Sequence, residues 1–120
     1  MILSFNWTTD AYLSGRKTCT RRRWAPSHLR QWQKAWDEGR HVHDAWDKSP
    51  RCKGKRLGQF RLTCRPYLER LEDMPEQDLQ AEGGLWASVE EFVEMFVRGG
   101  CEPDEDVAVV RFEPIIEIGT

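Results

Sequence analysis

Residues 15–23 have the sequence Gly-Arg-Lys-Thr-Cys-Thr-Arg-Arg-Arg, the stretch that bears most directly on the fold of this 120-residue chain. Gly15 is typical of a residue that ends a helix. The alternating threonines that follow it predict a strand over Thr18–Trp24. Because side chains alternate between the faces of a strand, Thr20 and Arg22 share one face. The stretch therefore predicts a helix end, a turn and an extended segment that presents a hydroxyl beside a guanidinium.

Lys17 lies at the start of this predicted strand, where a bend at Gly15 allows it to join the face of Thr20 and Arg22. An ammonium, a hydroxyl and a guanidinium on one face indicate a binding or catalytic site. The alternative is an exposed basic edge strand, where charged side chains deter aggregation. Cys19 points to the opposite face and is expected to be a small buried hydrophobe rather than a nucleophile.

The sequence on either side of this stretch predicts an α+β domain. Strands are predicted over Met1–Phe5, Gly58–Tyr67 and Val107–Phe112, the last of them central in the sheet. Helices are predicted over Asp10–Ser14, Pro26–Glu38, Leu68–Met74, from Pro75 to Gly83, and Ser88–Val97. A strand and a loop are expected within Arg40–Lys55. The predicted fold is a single domain over residues 1–120 with a small mixed β-sheet or open barrel and flanking helices.

Charge is distributed unevenly along the chain. Residues 1–70 hold 16 Lys and Arg against 6 Asp and Glu, a balance of +10, whereas residues 71–120 hold 2 against 14, a balance of −12. A basic half of this size is typical of a protein that binds a polyanion such as RNA. The alternative is that the two halves face each other and neutralise across the fold.

Several protein classes are disfavoured by composition. No apolar run approaches the roughly 20 residues that span a bilayer, and the N-terminus does not resemble a signal peptide. The four cysteines are widely spaced, so we expect free thiols and a cytoplasmic protein. His41, His43 and Cys52 lack further ligands at a zinc-like spacing, so we expect neither a metal nor a cofactor.

Six tryptophans are many for a chain of this length. Trp32 and Trp36 are spaced four residues apart on a predicted helix and are expected in the core. Trp24 and Trp46 adjoin basic runs and are candidates for stacking on nucleic-acid bases. The basic residues predicted to bind with them are Arg16, Arg22, Arg23, Arg51 and Lys53, together with the backbone at Gly15.

The pattern Gly15-x-Lys17-x-x-Thr20-x-Arg22 after the first helix resembles the ASCH domain family, whose fold is like that of the PUA RNA-binding domain. The similarity continues in order along the chain, through segments 58–63, 82–92 and 107–112. The segment from about Pro26 to Arg56 is longer than in compact members of the family.

The resemblance implies two classes of function. Some ASCH proteins resemble RNA-binding modules with a cleft lined by the lysine, threonine and arginine of the motif. A subset of small bacterial members removes the acetyl group from N4-acetylcytidine with a lysine, a threonine and a distant glutamate, which correspond here to Lys17, Thr20 and Glu82. Nuclease activity has also been proposed for some members of the family. A regulatory domain with a vestigial cleft is the alternative to all of these.

The implied chemistry is reasonable for these residue types. A threonine hydroxyl needs a base, either a neutral Lys17 or Glu82, before it attacks an amide. Burial and a nearby Arg22 lower the pKa of a lysine, whereas a nearby Glu82 raises it, and the sequence leaves both outcomes open. The same residues also suit binding, with Glu82 accepting from an exocyclic amine and the cations holding a phosphate or carbonyl.

Overall fold

The structure, a computed structural model, describes residues 1–115. Within that range the strands are β1 (Ile2–Ser4), β2 (Cys19–Arg22), β3 (Val42–Trp46), β4 (Arg56–Leu62), β5 (Tyr67–Arg70) and β6 (Asp106–Ile115). The α-helices are α1 (Thr9–Leu13), α2 (Pro26–Asp37), α3 (Asp78–Ala81) and α4 (Val89–Arg98). Short 3-10 helices cover Asn6–Thr8, Pro50–Cys52 and Leu71–Asp73.

Strand β6 is the centre of the sheet. Its first half pairs antiparallel with both β2 and β5, and its second half pairs antiparallel with β4. β3 continues the sheet beyond β4, and β1 lies parallel to β3 at the far edge. This mixed sheet curls into a half-barrel with helices around it, which confirms the predicted α+β class, the open-barrel architecture and the central place of β6.

Three predicted elements differ from the structure, and one of them, the helix predicted from Pro75 to Gly83, covers only Asp78–Ala81. The segment predicted as helical over Leu68–Met74 begins with strand β5, since pairing with β6 outweighs the helix preference of its Leu, Glu and Arg residues. Only the 3-10 turn after β5 is helical there. The strand predicted over Gly58–Tyr67 also ends earlier, at Leu62.

Aromatic side chains dominate the first of two hydrophobic clusters. Trp32 of α2 is fully buried against Phe60, and Trp36 packs at the edge of the same cluster, as their spacing predicts. The second cluster lies around Phe92 of α4 and Val107 of β6. Between them the two clusters leave a gap in which the candidate site is found.

No helix within residues 1–115 is long and apolar enough to cross a membrane.

Candidate functional site

A cavity of about 170 Å³ lies between the two hydrophobic clusters. Phe5 contributes to it from the first cluster, and Phe92 contributes from the second. Its polar and charged lining is Ser4, Asn6, Thr8, Lys17, Thr20, Arg21, Arg22 and Glu82, and its apolar lining is Phe5, Trp7, Trp86, Phe92, Met95 and Phe96. The cavity therefore combines aromatic walls with a concentrated set of charges.

The loop after α1 places Lys17 in this cavity. Gly15 has a φ of +79°, the left-handed conformation that favours glycine and ends the helix. The Lys17 amide then donates to the carbonyl of Ala11 at 3.0 Å, and the Thr18 amide donates to the carbonyl of Ala81 at 2.8 Å. These bonds hold the loop between α1 and the end of α3, so the lysine enters the protein interior and is only 1% exposed.

Glu82 reaches the same place from the end of α3. Gly83, which follows it, has a φ of +130°, and a Cβ atom there would lie 3.3 Å from the Cβ of Ala11. A side chain at this position would be strained, so the glycine allows the turn after α3 to approach α1 closely. That close approach brings Glu82 beside Lys17, although the two are separated by 65 residues in the sequence.

Lys17 and Glu82 form a buried ion pair. The Lys17 Nζ donates to Glu82 Oε1 at 3.2 Å and to the Glu82 backbone carbonyl at 2.7 Å. Burial lowers the pKa of Lys17 from its ordinary value, and it outweighs the nearby Glu82, which acts to raise it. Of the two effects that the sequence left open, burial is the larger, and the pKa shifts in the direction that a lysine base requires.

Arg21 connects this pair to a wider buried network. Its guanidinium donates to Glu82 Oε2 at 3.2 Å, to Asp78 Oδ2 at 2.6 Å and to Glu69 Oε1 at 2.7 Å. Asp78 also receives two bonds from Arg111, at 3.0 and 2.7 Å. Burial acts to raise the pKa of Asp78, but the hydrogen bonds from Arg111 and Arg21 outweigh it and hold the pKa below its ordinary value.

Arg22 differs from the other basic residues of the cavity because it forms no ion pair with any residue in the described range 1–115. Its Nε donates to Thr20 Oγ1 at 3.0 Å and its NH2 group donates to the carbonyl of Ser4 at 2.7 Å. The guanidinium also lies 6.0 Å from the ring centre of Phe5. Lys17, Arg21 and Arg111 are matched by carboxylates, so Arg22 supplies a positive charge that its protein neighbours leave unbalanced.

Thr20 and Cys19 lie on opposite faces of β2, as the alternation predicts. Thr20 lines the cavity and accepts from Arg22, but it forms no hydrogen bond with Lys17 or Glu82. Cys19 is fully buried, and burial together with Glu82 raises its pKa to about 12. The thiol is therefore protonated near neutral pH, in agreement with its predicted role as a packing residue.

Of the predicted site residues, the structure brings together Lys17, Thr20, Arg22 and Glu82. Predicted residues that lie outside the cavity lining are Gly15, Arg16, Arg23, Trp24, Trp46, Arg51 and Lys53.

Several of these outlying residues are exposed or pack against other side chains. Arg16 is exposed and donates to Ser14, and Arg23 pairs with Glu105 on the surface. Trp24 stacks on Trp32, with ring centres 5.3 Å apart. Arg51 and Lys53 are exposed on and beside the 3-10 helix at residues 50–52.

Sequence reasoning missed Trp7 and Trp86, which form the aromatic wall of the cavity. Their ring centres lie 5.4 Å apart in an edge-to-face arrangement, and the Trp86 ring packs against Phe92 at 4.6 Å. Both tryptophans stand in segments without a basic run, so the pattern of aromatics beside Arg and Lys did not single them out. The sequence did contain one indication of Trp86, because this residue follows closely after Glu82, which was already a predicted site residue.

Within the described residues no group of three or more His, Cys, Asp or Glu side chains could hold a metal ion. The two histidines that were considered as metal ligands, His41 and His43, pack on aromatic rings. His41 stacks on Trp36 with ring centres 3.9 Å apart, and His43 lies 4.7 Å from Trp32.

No family model matches this sequence, and a search of curated proteins gives no match. Among solved structures the chain is similar to protein EF3133 from Enterococcus faecalis V583, of the family DUF984, which is ASCH- and PUA-like in fold. The similarity has a TM-score of 0.57 at 18% sequence identity and covers 92% of this chain and 68% of that one. At this identity the comparison bears on the fold alone, and it agrees with a small PUA-like fold.

Proposed function

We propose that this domain binds a nucleobase, as a free nucleoside or as an unpaired base of RNA, in the cavity beside Arg22. The observation that carries the proposal is the guanidinium of Arg22, which is half-buried and has no carboxylate partner among the described residues. A charge removed from water without a partner is costly. Its presence at a cavity with aromatic walls is typical of a binding site that a ligand completes.

The size of the cavity favours a single ring. An engineered cavity of about 150 Å³ is large enough to hold benzene, and this one has a volume of about 170 Å³. A six-membered pyrimidine therefore fits, and the remaining space is small. The rings of Phe5 and Trp86 supply apolar and stacking contacts for such a ligand.

The polar groups of the cavity match the edge of a base such as cytosine. Arg22 and Lys17 are donors for a ring carbonyl or ring nitrogen. Both oxygens of Glu82 are engaged, yet a carboxylate has about four acceptor positions and can receive a further bond from an exocyclic amine. This donor and acceptor combination, within an ASCH-like fold, is what supports a nucleobase over an apolar ligand.

The charge distribution supports recognition of a base more than a long phosphate track. Arg21 is neutralised by buried carboxylates, and Arg23 is neutralised by Glu105. For these two arginines, neutralisation by acidic residues of the same protein explains the charge distribution better than binding of a polyanion does. Binding is therefore expected to depend chiefly on the cavity, where Arg22 has no carboxylate partner among residues 1–115.

The test is calorimetric titration of the purified protein with cytidine and uridine, alongside Arg22→Ala. We expect saturable binding to the wild type that is reduced at least roughly tenfold in the variant, because a hydrogen bond to a charged group contributes about 1.5–3 kcal/mol. The matched control is Arg61→Ala, which removes an exposed arginine outside the cavity. Equal affinity of both variants would contradict a site at Arg22.

A second candidate function is hydrolysis of an N4-acylated cytidine in the same cavity. The observation that favours it is the lowered pKa of Lys17 beside Glu82, with the Thr20 hydroxyl lining the same space. The resting lysine donates to Glu82, so its ammonium must first lose a proton to solvent; the neutral amine then accepts the hydroxyl proton and makes Thr20 nucleophilic. Glu82 is then the residue that orients Lys17 through the bond at 3.2 Å.

The reaction steps follow from these roles. The Thr20 oxygen attacks the acyl carbonyl, and Arg22 donates to the oxygen that becomes negatively charged. The bond between the carbonyl carbon and N4 breaks, and the proton on Lys17 passes to the departing amine. Water then hydrolyses the threonyl ester, which releases the acid and restores Thr20. Because the Lys17 Nζ group donates only to Glu82 among residues 1–115, the lysine must also approach Thr20 when substrate binds.

Hydrolysis of N4-acetylcytidine to cytidine, followed by chromatography, tests this second candidate. Lys17→Ala, Thr20→Ala and Glu82→Ala are each expected to lose turnover, whereas Thr63→Ala, an exposed threonine outside the cavity, is expected to keep it. Absence of turnover in the folded wild type, with cytidine binding intact, would leave the protein as a binding domain. Turnover that survives in Thr20→Ala would exclude Thr20 as the nucleophile.

A further inference from the structure

A wider hollow opens directly outside the cavity. It has a volume of about 580 Å³ and shares Trp7, Trp86 and Met95 with the cavity. We call it the vestibule, and its remaining lining is Leu85, Glu91, Glu94 and Arg98. Trp7 is 62% exposed and Leu85 is 46% exposed. Large apolar side chains exposed at the mouth of a cavity are typical of a surface that a ligand covers.

Trp7 is exposed and yet held in place. It lies in the 3-10 helix at Asn6–Thr8, which is fixed by the Asn6 amide donating to Asp47 at 2.6 Å and by the Thr8 hydroxyl donating to Phe5 at 2.7 Å. Its ring meets Trp86 at an interplanar angle of 73°. A ring supported in this way presents a preorganised surface to a flat ligand, at a low entropic cost of binding.

The vestibule carries no excess of positive charge that would attract a phosphate. Glu94 pairs with Arg98 at 2.9 Å, and the Glu91 carboxylate accepts from the amide of Ala87 at 3.3 Å. The two acids and one arginine leave a single net negative charge. A ligand group that binds here is therefore recognised through its flat apolar face and not through its charge.

We propose that the vestibule is a second subsite, which stacks the neighbouring base of a single-stranded RNA on Trp7 while the first base occupies the cavity. The inference rests on the proposed binding of a nucleobase and extends it from one base to two. Stacking of this kind tolerates any base, because each has a π face. The gain is expected to be nearly independent of salt, since no additional phosphate is neutralised.

The experiment compares cytidine, cytidine 3′-monophosphate and the dinucleotide cytidylyl-3′,5′-cytidine by calorimetric titration. The wild type is expected to bind the dinucleotide roughly tenfold more tightly than cytidine, the size typical of one stacked base. The monophosphate is expected to bind like cytidine. Because Trp7 also lines the cavity, the readout for Trp7→Ala is the ratio of dinucleotide to cytidine affinity, which should fall to about one. Trp7→Phe should retain most of the gain.

Leu13→Ala is the matched control, because Leu13 is 59% exposed and lies outside both hollows. Equal binding of cytidine and dinucleotide to the wild type would overturn the second subsite and leave the cavity site standing. A gain that the monophosphate reproduces, or that falls steeply between about 50 and 200 mM salt, would indicate a phosphate contact and overturn it too. If neither ligand binds, both the cavity site and the vestibule are refuted.

Discussion

Replacement of Asp78 by alanine tests whether the buried ion network holds the site together. Asp78 is 4% exposed and receives three charge-assisted hydrogen bonds, one from Arg21 and two from Arg111. The substitution removes all three and leaves both guanidinium groups without their shared carboxylate. Arg21 keeps Glu69 and Glu82, so its charge remains partly balanced.

The size of the effect follows from this arrangement. Removal of one partner from a buried ion pair costs about 3–5 kcal/mol, because the other charge stays buried. Since Arg21 retains two carboxylates and the Arg111 side chain is 29% exposed, we expect the lower end, about 3 kcal/mol. Small domains have a free energy of unfolding of about 5–15 kcal/mol, so the variant should still fold but with a much smaller free energy of unfolding.

Equilibrium unfolding in urea measures this loss. The matched control is Asp37→Ala, because Asp37 also receives two bonds from one arginine, Arg65, but its side chain is 54% exposed. That variant should unfold close to the wild-type midpoint, since solvent screens exposed pairs. Equal midpoints for Asp78→Ala and Asp37→Ala would refute the view that the buried network stabilises the site.

Three further perturbations test the fold around the site. Burial lowers the pKa of His43 in the folded protein to about 4. As the pH falls from 6.5 to 4, the unfolded chain binds a proton at this histidine before the folded chain does, so the free energy of unfolding should fall. His43→Gln should flatten this part of the pH dependence of urea unfolding. Trp32→Ala should cost about 3–5 kcal/mol in the same assay, because the indole is fully buried, whereas Trp7→Ala should leave the midpoint unchanged. Ser88 Oγ accepts from the Glu91 amide at 3.1 Å at the start of α4, so Ser88→Ala should cost about 1 kcal/mol.

Local patterns predicted most of the fold because the relevant interactions are local. The threonine alternation located β2, the apolar run 107–112 located the central strand, and the Ser88 cap located the start of α4. The helix predicted over Leu68–Met74 was wrong because its residues favour a helix locally, whereas pairing with the distant β6 makes Tyr67–Arg70 the strand β5. Such a contact leaves no periodic signal in a four-residue segment.

The candidate site was predictable in its polar half only. The motif carries Lys17, Thr20 and Arg22 to one place because they are neighbours in sequence, and the family resemblance supplied Glu82. The aromatic half was missed since Trp7 and Trp86 meet only in the folded chain. The pairing of Arg23 outside the cavity was not predictable either, because its partner Glu105 is 82 residues away.

The most direct test of the central claim is an NMR titration of the indole N–H signals with cytidine. The chain has six tryptophans, so each signal can be assigned by single Trp→Phe substitutions. A nucleobase in the cavity should shift the signals of Trp86 and Trp7, which line it, and leave those of Trp24 and Trp46 unchanged. Shifts confined to Trp24 or Trp46, or no shifts at all at saturating cytidine, would contradict a nucleobase site beside Arg22.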